Sequence, residues 1–294
     1  LILKDKVDLL FGPYSSEIAD AMLPVTEKYH YPIVSSGASS DSLFQKGYRY
    51  VFGTHRPASK IITGFLELLL VNGLNSIAII HADDPFSIKV AESTGKWAER
   101  FGLKVILSEG FRKGRENLDE FALKAKESGA QVLIMCGHLD EAVNMRLSLK
   151  RLNWYPKAYF ATVGPTVTVF YDRLGKEAEH VFSSTNWEPN ARFPGSEEFY
   201  KAFIKAYKYI PHQQAAMAYA GGEILEAAVK KEGSINREKI RDSLSATDTM
   251  SIIGRYGVDR TGLQLKHFNF IIQWQKGKKE LVWPEELRTA NPIF

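Results

Sequence analysis

The sequence predicts an α/β protein whose parallel sheets are covered by helices on both faces. Short apolar runs rich in β-branched residues recur along the chain, and longer segments with helical periodicity separate them. This alternation is typical of right-handed βαβ crossovers. The length of 294 residues is about twice that of a typical domain, so we expect one large domain or two lobes.

The first strand and the first helix are predicted from local turn chemistry. Residues 7–11 (VDLLF) have the pattern of a buried strand, and a Gly-Pro pair ends it. A helix should follow, because Ser15 or Ser16 can cap its first turn. Glu17 then lies in that first turn, where the helix dipole favours a negative charge.

The alternation continues as far as residue 161. The predicted strands are 32–35, 50–52, 76–81, 104–108, 131–136 and 158–161. The predicted helices between them are 58–71, 87–101, 118–128 and 140–152.

The character of the sequence changes at about Trp187. A linker containing Glu188, Pro189, Asn190 and Pro194 precedes three predicted helices, 199–209, 213–231 and 236–244. Gly233 is placed to end the second of these helices. Strand-like segments follow at 251–255, 267–274 and 280–283.

Composition and charge exclude several classes of function. Lys and Arg total 38 and Asp and Glu total 34, so a net charge of +4 argues against nucleic acid or a polybasic membrane anchor as partner. The most apolar stretch, residues 61–71, is too short to cross a bilayer. Cys136 is the single cysteine, which excludes an internal disulfide and a cysteine-rich zinc site. It could be a nucleophile, but a cysteine in an apolar run is more often a small core residue.

Two strand ends are rich in small hydroxyl residues. The segment GPYSSE contains Ser15 and Ser16, and the segment SSGASSDS contains Gly37, Ser39 and Ser40. Ligands of open parallel sheets bind beyond the carboxyl ends of strands, and free N–H and hydroxyl groups there suit a carboxylate. Helix capping and turn chemistry account for the same residues, so both interpretations stay open at this point.

Two further strand ends carry histidines and acids. They are IIHADDPFS, with His81, Asp83, Asp84 and Phe86, and IMCGHLDE, with His138, Asp140 and Glu141. No HExxH, GxSxG, GxGxxG or GxxxxGK[ST] motif accompanies them, so a metal site, a hydrolase triad and a nucleotide site are unsupported. We therefore expect neither a metal nor a cofactor, and no catalytic residues.

Ordered blocks of the sequence resemble one known family over nearly the whole chain. The blocks are DLLFGPYSSEIADAMLPVTEKYHYPIVSSGASS, GYRYVFGTHRPASK, NSIAIIHADDPFS, AQVLIMCGHLDEAVNMRLSLKRL and MAYAGGEILEAAVKKEGSINREKIRDSL. They are similar to the Leu/Ile/Val-binding-protein family of type I periplasmic solute-binding proteins, the substrate-binding components of ABC importers.

The resemblance implies a fold of two Rossmann-like lobes, joined by three crossovers near Pro57, Trp187 and Lys266. Lobe one would comprise residues 1–56 and 187–266, and lobe two residues 57–186 and 267–294. The ligand would be captured in the cleft between the lobes as they close by hinge motion.

The resemblance also implies a function. The chain would be a non-enzymatic solute-binding protein in the periplasm or outside the cell that delivers a small molecule to a membrane permease. A lipid anchor at a missing N-terminus is one expectation for its location. A two-lobed ligand sensor or regulator, of the amide-sensor or receptor-ectodomain kind, is the alternative.

Eight residues would form the ligand site in such a protein. Family members hold a ligand carboxylate with groups that match Ser16, Gly37 and Ser39, and Ser15, Ser36 and Ala38 are adjacent to them. The corresponding contacts from lobe two would be Phe86 and His138. Phe86 offers an apolar face for the rest of the ligand.

The chain departs from the family pattern at the acid that pairs with a ligand ammonium. That position falls at or near Val163, and no Asp or Glu lies between residues 158 and 169. An unpaired buried ammonium is costly, so an ordinary amino acid is in doubt unless Asp140, Glu141 or another group substitutes. The candidate ligands are then branched-chain or hydrophobic amino acids, aromatic or aliphatic acids, and small amides.

A second departure concerns the start of the chain. About the first 70 family positions, which include a central strand of lobe one, have no counterpart before LILKDKVDLLFG. The expectation from this comparison is a chain that is the remainder of a longer precursor.

Overall fold

The structure is a computed structural model that describes residues 1–294, and it separates the chain into two compact units. Unit 1 comprises Leu1–Ala58 and Asn186–Phe268, and unit 2 comprises Ser59–Thr185 and Asn269–Phe294. Both units combine helices with largely parallel sheets, which confirms the predicted α/β class.

Nine α-helices and twelve strands make up the two units. The helices are α1 (Ser16–Lys28), α2 (Thr63–Val71), α3 (Pro85–Arg100), α4 (Asp119–Glu127), α5 (Leu139–Arg151), α6 (Thr168–Leu174), α7 (Ser196–Tyr207), α8 (Gln213–Glu232) and α9 (Arg237–Ala246). The strands are β1 (Leu10–Phe11), β2 (Ile33–Ser35), β3 (Val51–Gly53), β4 (Ser76–Ala82), β5 (Lys104–Phe111), β6 (Val132–Cys136), β7 (Ala158–Ala161), β8 (Val181–Thr185), β9 (Asp248–Ser251), β10 (Gly254–Gly257), β11 (Phe270–Gln275) and β12 (Lys278–Trp283).

Unit 1 is organised around a parallel sheet with the order β1-β2-β3. Helix α8 packs on β2 with one apolar stripe, in which Met217, Ala220, Ile224 and Ala228 are buried. The burial follows from the helical spacing of these residues along α8. Gly233 ends the helix in the left-handed conformation with φ of 57°, as predicted.

Unit 2 contains a seven-stranded sheet with the order β12-β11-β8-β7-β6-β4-β5. Strands β4 to β8 run parallel, whereas β11 is antiparallel to both β8 and β12. The interior strand β6 is buried along its full length. This matches the continuous apolar run from which it was predicted, because parallel strands are covered on both faces.

The structure corrects several element predictions. The sequence analysis did not predict β8 or α6. Three of the five residues of β8 are the polar residues Ser183, Ser184 and Thr185, so the segment lacks the apolar pattern of a buried strand. All three residues are nevertheless fully buried. The strand predicted at 251–255 is interrupted by the turn of the β9–β10 hairpin at residues 252–253. Only the last two residues of the strand predicted at 7–11 pair with a neighbour.

No helix of the structure combines the length and the apolar character that a membrane span requires. The apolar stretch 61–71 contains the whole of α2, whose residues Phe65, Leu66 and Leu69 are buried in unit 2.

Candidate functional site

In unit 1, the two hydroxyl-rich loops follow neighbouring parallel strands. Ser15 and Ser16 come after β1, and the segment from Ser36 to Ser40 comes after β2. Because the strands are parallel, their carboxyl ends lie at the same edge of the sheet. The structure therefore brings together the loops that the sequence analysis selected.

Ser16 joins the two loops by hydrogen bonds. Its buried Oγ accepts the backbone N–H groups of Ser39 at 3.2 Å and Ser40 at 3.1 Å. No acceptor within the chain takes the Ser16 hydroxyl proton, so this hydroxyl can still donate one hydrogen bond. Ser15 occupies the N-cap position of α1, but its side chain makes no capping bond. The prediction of a serine side-chain cap for α1 is therefore wrong.

Gly37 is the point of closest approach between the two loops. A Cβ atom added at this position would lie 2.7 Å from the Pro13 carbonyl oxygen and 2.8 Å from the Tyr14 Cβ. Real Cβ atoms do not make contacts this short, so a glycine is required for the loops to meet as they do.

The other candidate residues of the second loop differ in what they can offer a ligand. Ala38 is buried among apolar side chains of unit 1 and fills part of its core. The hydroxyls of Ser36 and Ser39 make no hydrogen bond within the chain, although both residues are more than nine-tenths buried. Two hydroxyl groups of this loop therefore remain available at the strand ends.

A buried polar network supports the second loop, and sequence reasoning missed it. Burial lowers the pKa of His55, which follows β3, to about 4, so its ring is neutral at pH 7. The backbone carbonyl of Ser36 can only accept, so His55 Nε2–H donates to it at 2.9 Å. Its Nδ1 then accepts from Asn186 Nδ2 at 3.2 Å, and Gln213 Oε1 accepts from the backbone N–H and Nδ2 of Asn186.

In unit 2, the predicted site residues follow strands that are neighbours in the sheet. Asp84 and Phe86 come after β4, and His138 comes after β6. Asp84 caps α3, because its Oδ1 accepts the backbone N–H groups of Phe86 at 3.1 Å and Ser87 at 3.2 Å. Its Oδ2 accepts the Ser87 hydroxyl at 2.5 Å.

His138 completes the surroundings of the Asp84 carboxylate. Its Nε2 lies 3.4 Å from Asp84 Oδ1, and its ring centroid lies 5.6 Å from that of Phe86. Burial alone would raise the pKa of Asp84. The hydrogen bonds from His138 and Ser87 lower this pKa by more than burial raises it, so the carboxyl group stays ionised. Phe86 is 7% exposed, so little of its ring is available as an apolar surface.

The acids at this edge of unit 2 are already bonded within the chain. Asp140 pairs with Arg173 at 2.5 Å. The two carboxylate oxygens of Glu141 accept backbone N–H groups, that of His138 at 3.1 Å and that of Gly114 at 3.3 Å. Cys136 is fully buried, and burial raises the pKa of its thiol, which opposes a nucleophilic role.

Comparison with known sequences gives matches over nearly the whole chain. Residues 1–279 match the family model of the periplasmic binding proteins. The Leu/Ile/Val-binding protein homolog 7 of Brucella melitensis biotype 1 is 24% identical over 306 residues, which cover 97% of this chain and 76% of that protein.

Solved structures show the same fold. The leucine-binding protein LivK of Thermotoga maritima superposes with a TM-score of 0.89 at 18% identity, over 95% of this chain and 80% of that chain. A solute-binding protein of an R. palustris ABC transporter, crystallised in complex with benzoate, gives a TM-score of 0.83 at 16% identity, over 95% of this chain and 77% of that chain.

Proposed function

The chain belongs to the periplasmic binding protein family, and on that premise we propose that it is an extracytoplasmic solute-binding protein of an ABC importer. It binds a small carboxylate-bearing molecule and presents it to a membrane permease without chemical conversion. Membership of the family confirms the resemblance drawn from the sequence blocks.

The observation that carries this proposal is the pair of hydroxyl loops in unit 1. The Ser16 hydroxyl proton and the hydroxyls of Ser36 and Ser39 have no acceptor or donor within the chain, and they lie at the carboxyl ends of parallel strands. A carboxylate accepts several hydrogen bonds at once, and bonds to a charged acceptor are stronger than those between neutral groups. We propose that Ser16, Ser36, Gly37 and Ser39 bind the ligand carboxylate, with Ser15 and Ala38 shaping the loops.

The state of the acids in unit 2 favours a ligand that lacks an ammonium group. The Asp84 and Glu141 carboxylates already accept bonds from the chain, and Asp140 pairs with Arg173. A ligand ammonium bound by any of them would have to share a carboxylate that already holds a cap or an ion pair. We therefore propose an aromatic or branched-chain carboxylic acid, with His138 and the small exposed part of the Phe86 ring as the proposed contacts in unit 2.

The similar structures include proteins for a carboxylate with an ammonium group and for one without it. The Thermotoga maritima relative is a leucine-binding protein, and the R. palustris relative was solved with benzoate.

Removal of the Ser39 hydroxyl tests the proposed carboxylate contact. Ser39→Ala should weaken binding of the preferred acid by about 1 to 3 kcal/mol, because a charge-assisted hydrogen bond is lost. Isothermal titration calorimetry measures this change. Ser245→Ala removes a hydroxyl at the exposed end of α9 in unit 1 and serves as the control, with affinity expected to stay unchanged. Equal affinities of the Ser39→Ala variant and the parent chain would refute the contact.

A further inference from the structure

Unit 2 contains a cavity of about 570 Å³ away from the residues discussed above. Pro156 and Lys157, which precede β7, and His180, which precedes β8, border this cavity. It therefore lies at the amino ends of the parallel strands. Phe86 and His138 follow the carboxyl ends of the same sheet, so the cavity is separate from the candidate site.

The guanidinium of Arg146, on α5, lines the cavity with most of its donors unused. Arg146 is 9% exposed, and its one hydrogen bond runs from Nε to the backbone carbonyl of Glu177. Its Nη2 lies 3.8 Å from Glu177 Oε2, beyond hydrogen-bond distance, and its Cζ lies 4.6 Å from the centroid of the Tyr155 ring. The N–H groups of Nη1 and Nη2 thus donate no hydrogen bond within the chain, and the ion pair with Glu177 leaves them able to donate to a ligand.

The two acids beside the cavity already have partners. Glu177 lies 3.8 Å from Arg146 Nη2 and 3.3 Å from Lys150 Nζ, and it accepts the Tyr155 hydroxyl at 3.3 Å. Glu179 accepts the backbone N–H groups of Lys276 and Gly277, each at 2.7 Å. Neither carboxylate accepts a hydrogen bond from the Nη groups of Arg146.

Two lysines add to the positive charge around the cavity. Lys157 and Lys176 both line it, both are exposed, and neither forms an ion pair. With Arg146 they place three cations around one cavity. These positive charges repel each other, and an anion bound among them would offset that repulsion by its attraction to each. The arrangement is therefore suited to a negative ligand.

We propose that this cavity is a second binding site of the protein, for the phosphate or carboxylate group of a small anionic molecule. The planar guanidinium of Arg146 would bind two oxygens of that group, because its parallel N–H bonds match the spacing of oxygens in a carboxylate or phosphate. Lys157 and Lys176 would neutralise the remaining charge. The cavity volume is in the usual range for small-molecule sites, and Tyr155, Tyr159 and Phe294 supply aromatic surface for the rest of the ligand.

Calorimetric titration of the whole chain with inorganic phosphate, phenyl phosphate and phenylacetate, at low constant ionic strength, tests the proposal. Saturable binding of at least one of these probes is expected, and the pattern distinguishes a phosphate site from a carboxylate site. The double variant Lys157→Gln/Lys176→Gln should weaken that binding by at least about tenfold, and Arg146→Gln should abolish it. Because both lysines are exposed, the double variant keeps the test valid if Arg146→Gln fails to fold.

A matched control and a separate reading of one probe distinguish this site from the proposed carboxylate site of unit 1. Lys96→Gln removes an exposed cation of α3 that does not line the cavity, and it should leave the affinity for the probe unchanged. Phenylacetate can also occupy the carboxylate site of unit 1, so only the part of its binding that the double lysine variant weakens is assigned to the cavity. Absence of binding by all three probes, or equal affinity for every probe in the double lysine variant, would overturn the proposal. Either result would leave the proposed transport function untouched.

Discussion

Gly37 sets the distance between the two loops of unit 1. Gly37→Ala would place a methyl group within 2.7–2.9 Å of Pro13 and Tyr14, so the loops must move apart. We expect a loss of about 1 to 3 kcal/mol in the free energy of unfolding, as for other overpacked sites, together with weaker ligand binding. Urea unfolding and calorimetry measure the two effects.

Gly222→Ala is the matched control for that variant. Gly222 lies in α8 of the same unit, and an added Cβ would have no neighbour within 4 Å. Alanine is the better helix former, so Gly222→Ala should leave unfolding unchanged or stabilise the protein by up to about 1 kcal/mol. A Gly37→Ala variant as stable as Gly222→Ala would contradict the close contact between the loops.

His55 makes the stability of the protein depend on pH. Its folded pKa of about 4 lies below the ordinary value of 6.5, so the unfolded chain binds the proton more readily. The contribution of His55 to stability is complete above pH 6.5 and is lost as the pH falls toward 4. At pH 5 the loss should be on the order of 1 to 2 kcal/mol.

Chemical denaturation at pH 7 and pH 5 measures this dependence. In the His55→Gln variant, the glutamine side chain does not titrate between pH 5 and pH 7, and its amide can still donate to the Ser36 carbonyl. The difference in unfolding free energy between the two pH values should therefore be smaller in the variant. An unchanged difference would mean that His55 is not held neutral by the fold.

Sequence reasoning identified the loop residues of the candidate site but not their support. The clustering of hydroxyl residues and glycine directly after predicted strands pointed to the two loops, and the family resemblance then selected Ser16, Gly37 and Ser39. His55, Asn186 and Gln213 are far apart in the sequence, and no local pattern shows that they meet. Such a network becomes visible only once the fold is known.

At the scale of elements, α3 shows how a cap determines the geometry of a site. The sequence predicted a helix from residue 87, whereas Pro85 is its first residue and Asp84 caps it. Proline favours the first turn and Asp favours the cap position, so the signal was present in the sequence. The cap also holds Phe86 and His138 beside each other through the shared Asp84 carboxylate.

Loss of this cap should destabilise unit 2. Asp84→Ala removes the bonds to Phe86, Ser87 and His138, so we expect the free energy of unfolding to fall by about 1 to 2 kcal/mol. Asp83→Ala is the neighbouring control, because exposed Asp83 accepts a single hydrogen bond, from the backbone N–H of Lys113 at 2.8 Å. Thermal unfolding of the two variants gives the comparison, and equal losses would rule out a special role for the Asp84 cap.

Elements with a strong local pattern were predicted well, and elements whose identity depends on burial were not. Strand β7 (Ala158–Ala161) coincides with its prediction, and α8 differs from its prediction by one residue. Strand β8 was missed because its polar residues are buried through contacts with residues distant in the sequence. Ser183 Oγ, for example, donates to the Thr162 carbonyl at 3.0 Å. Periodicity alone does not report such burial.

At the scale of the whole molecule, alternating strands and helices correctly predicted the class of fold. They did not predict that each unit is built from two separate stretches of chain, since local patterns carry no information on which distant segments pack together. That expectation came from the family resemblance. The roles of Pro57, Trp187 and Lys266 as crossover points for hinge motion remain predictions.

The central claim is that this solute-binding protein takes a carboxylate ligand that has no ammonium group. Leucine and 4-methylpentanoate differ only in that group, so calorimetric titration of one protein sample with both compounds tests the claim most directly. The occupied state of Asp84, Asp140 and Glu141 predicts that 4-methylpentanoate binds at least about tenfold more tightly, a difference of about 1.4 kcal/mol. Tighter binding of leucine would contradict the account and would show that an acid of the chain binds the ammonium beside its present partner.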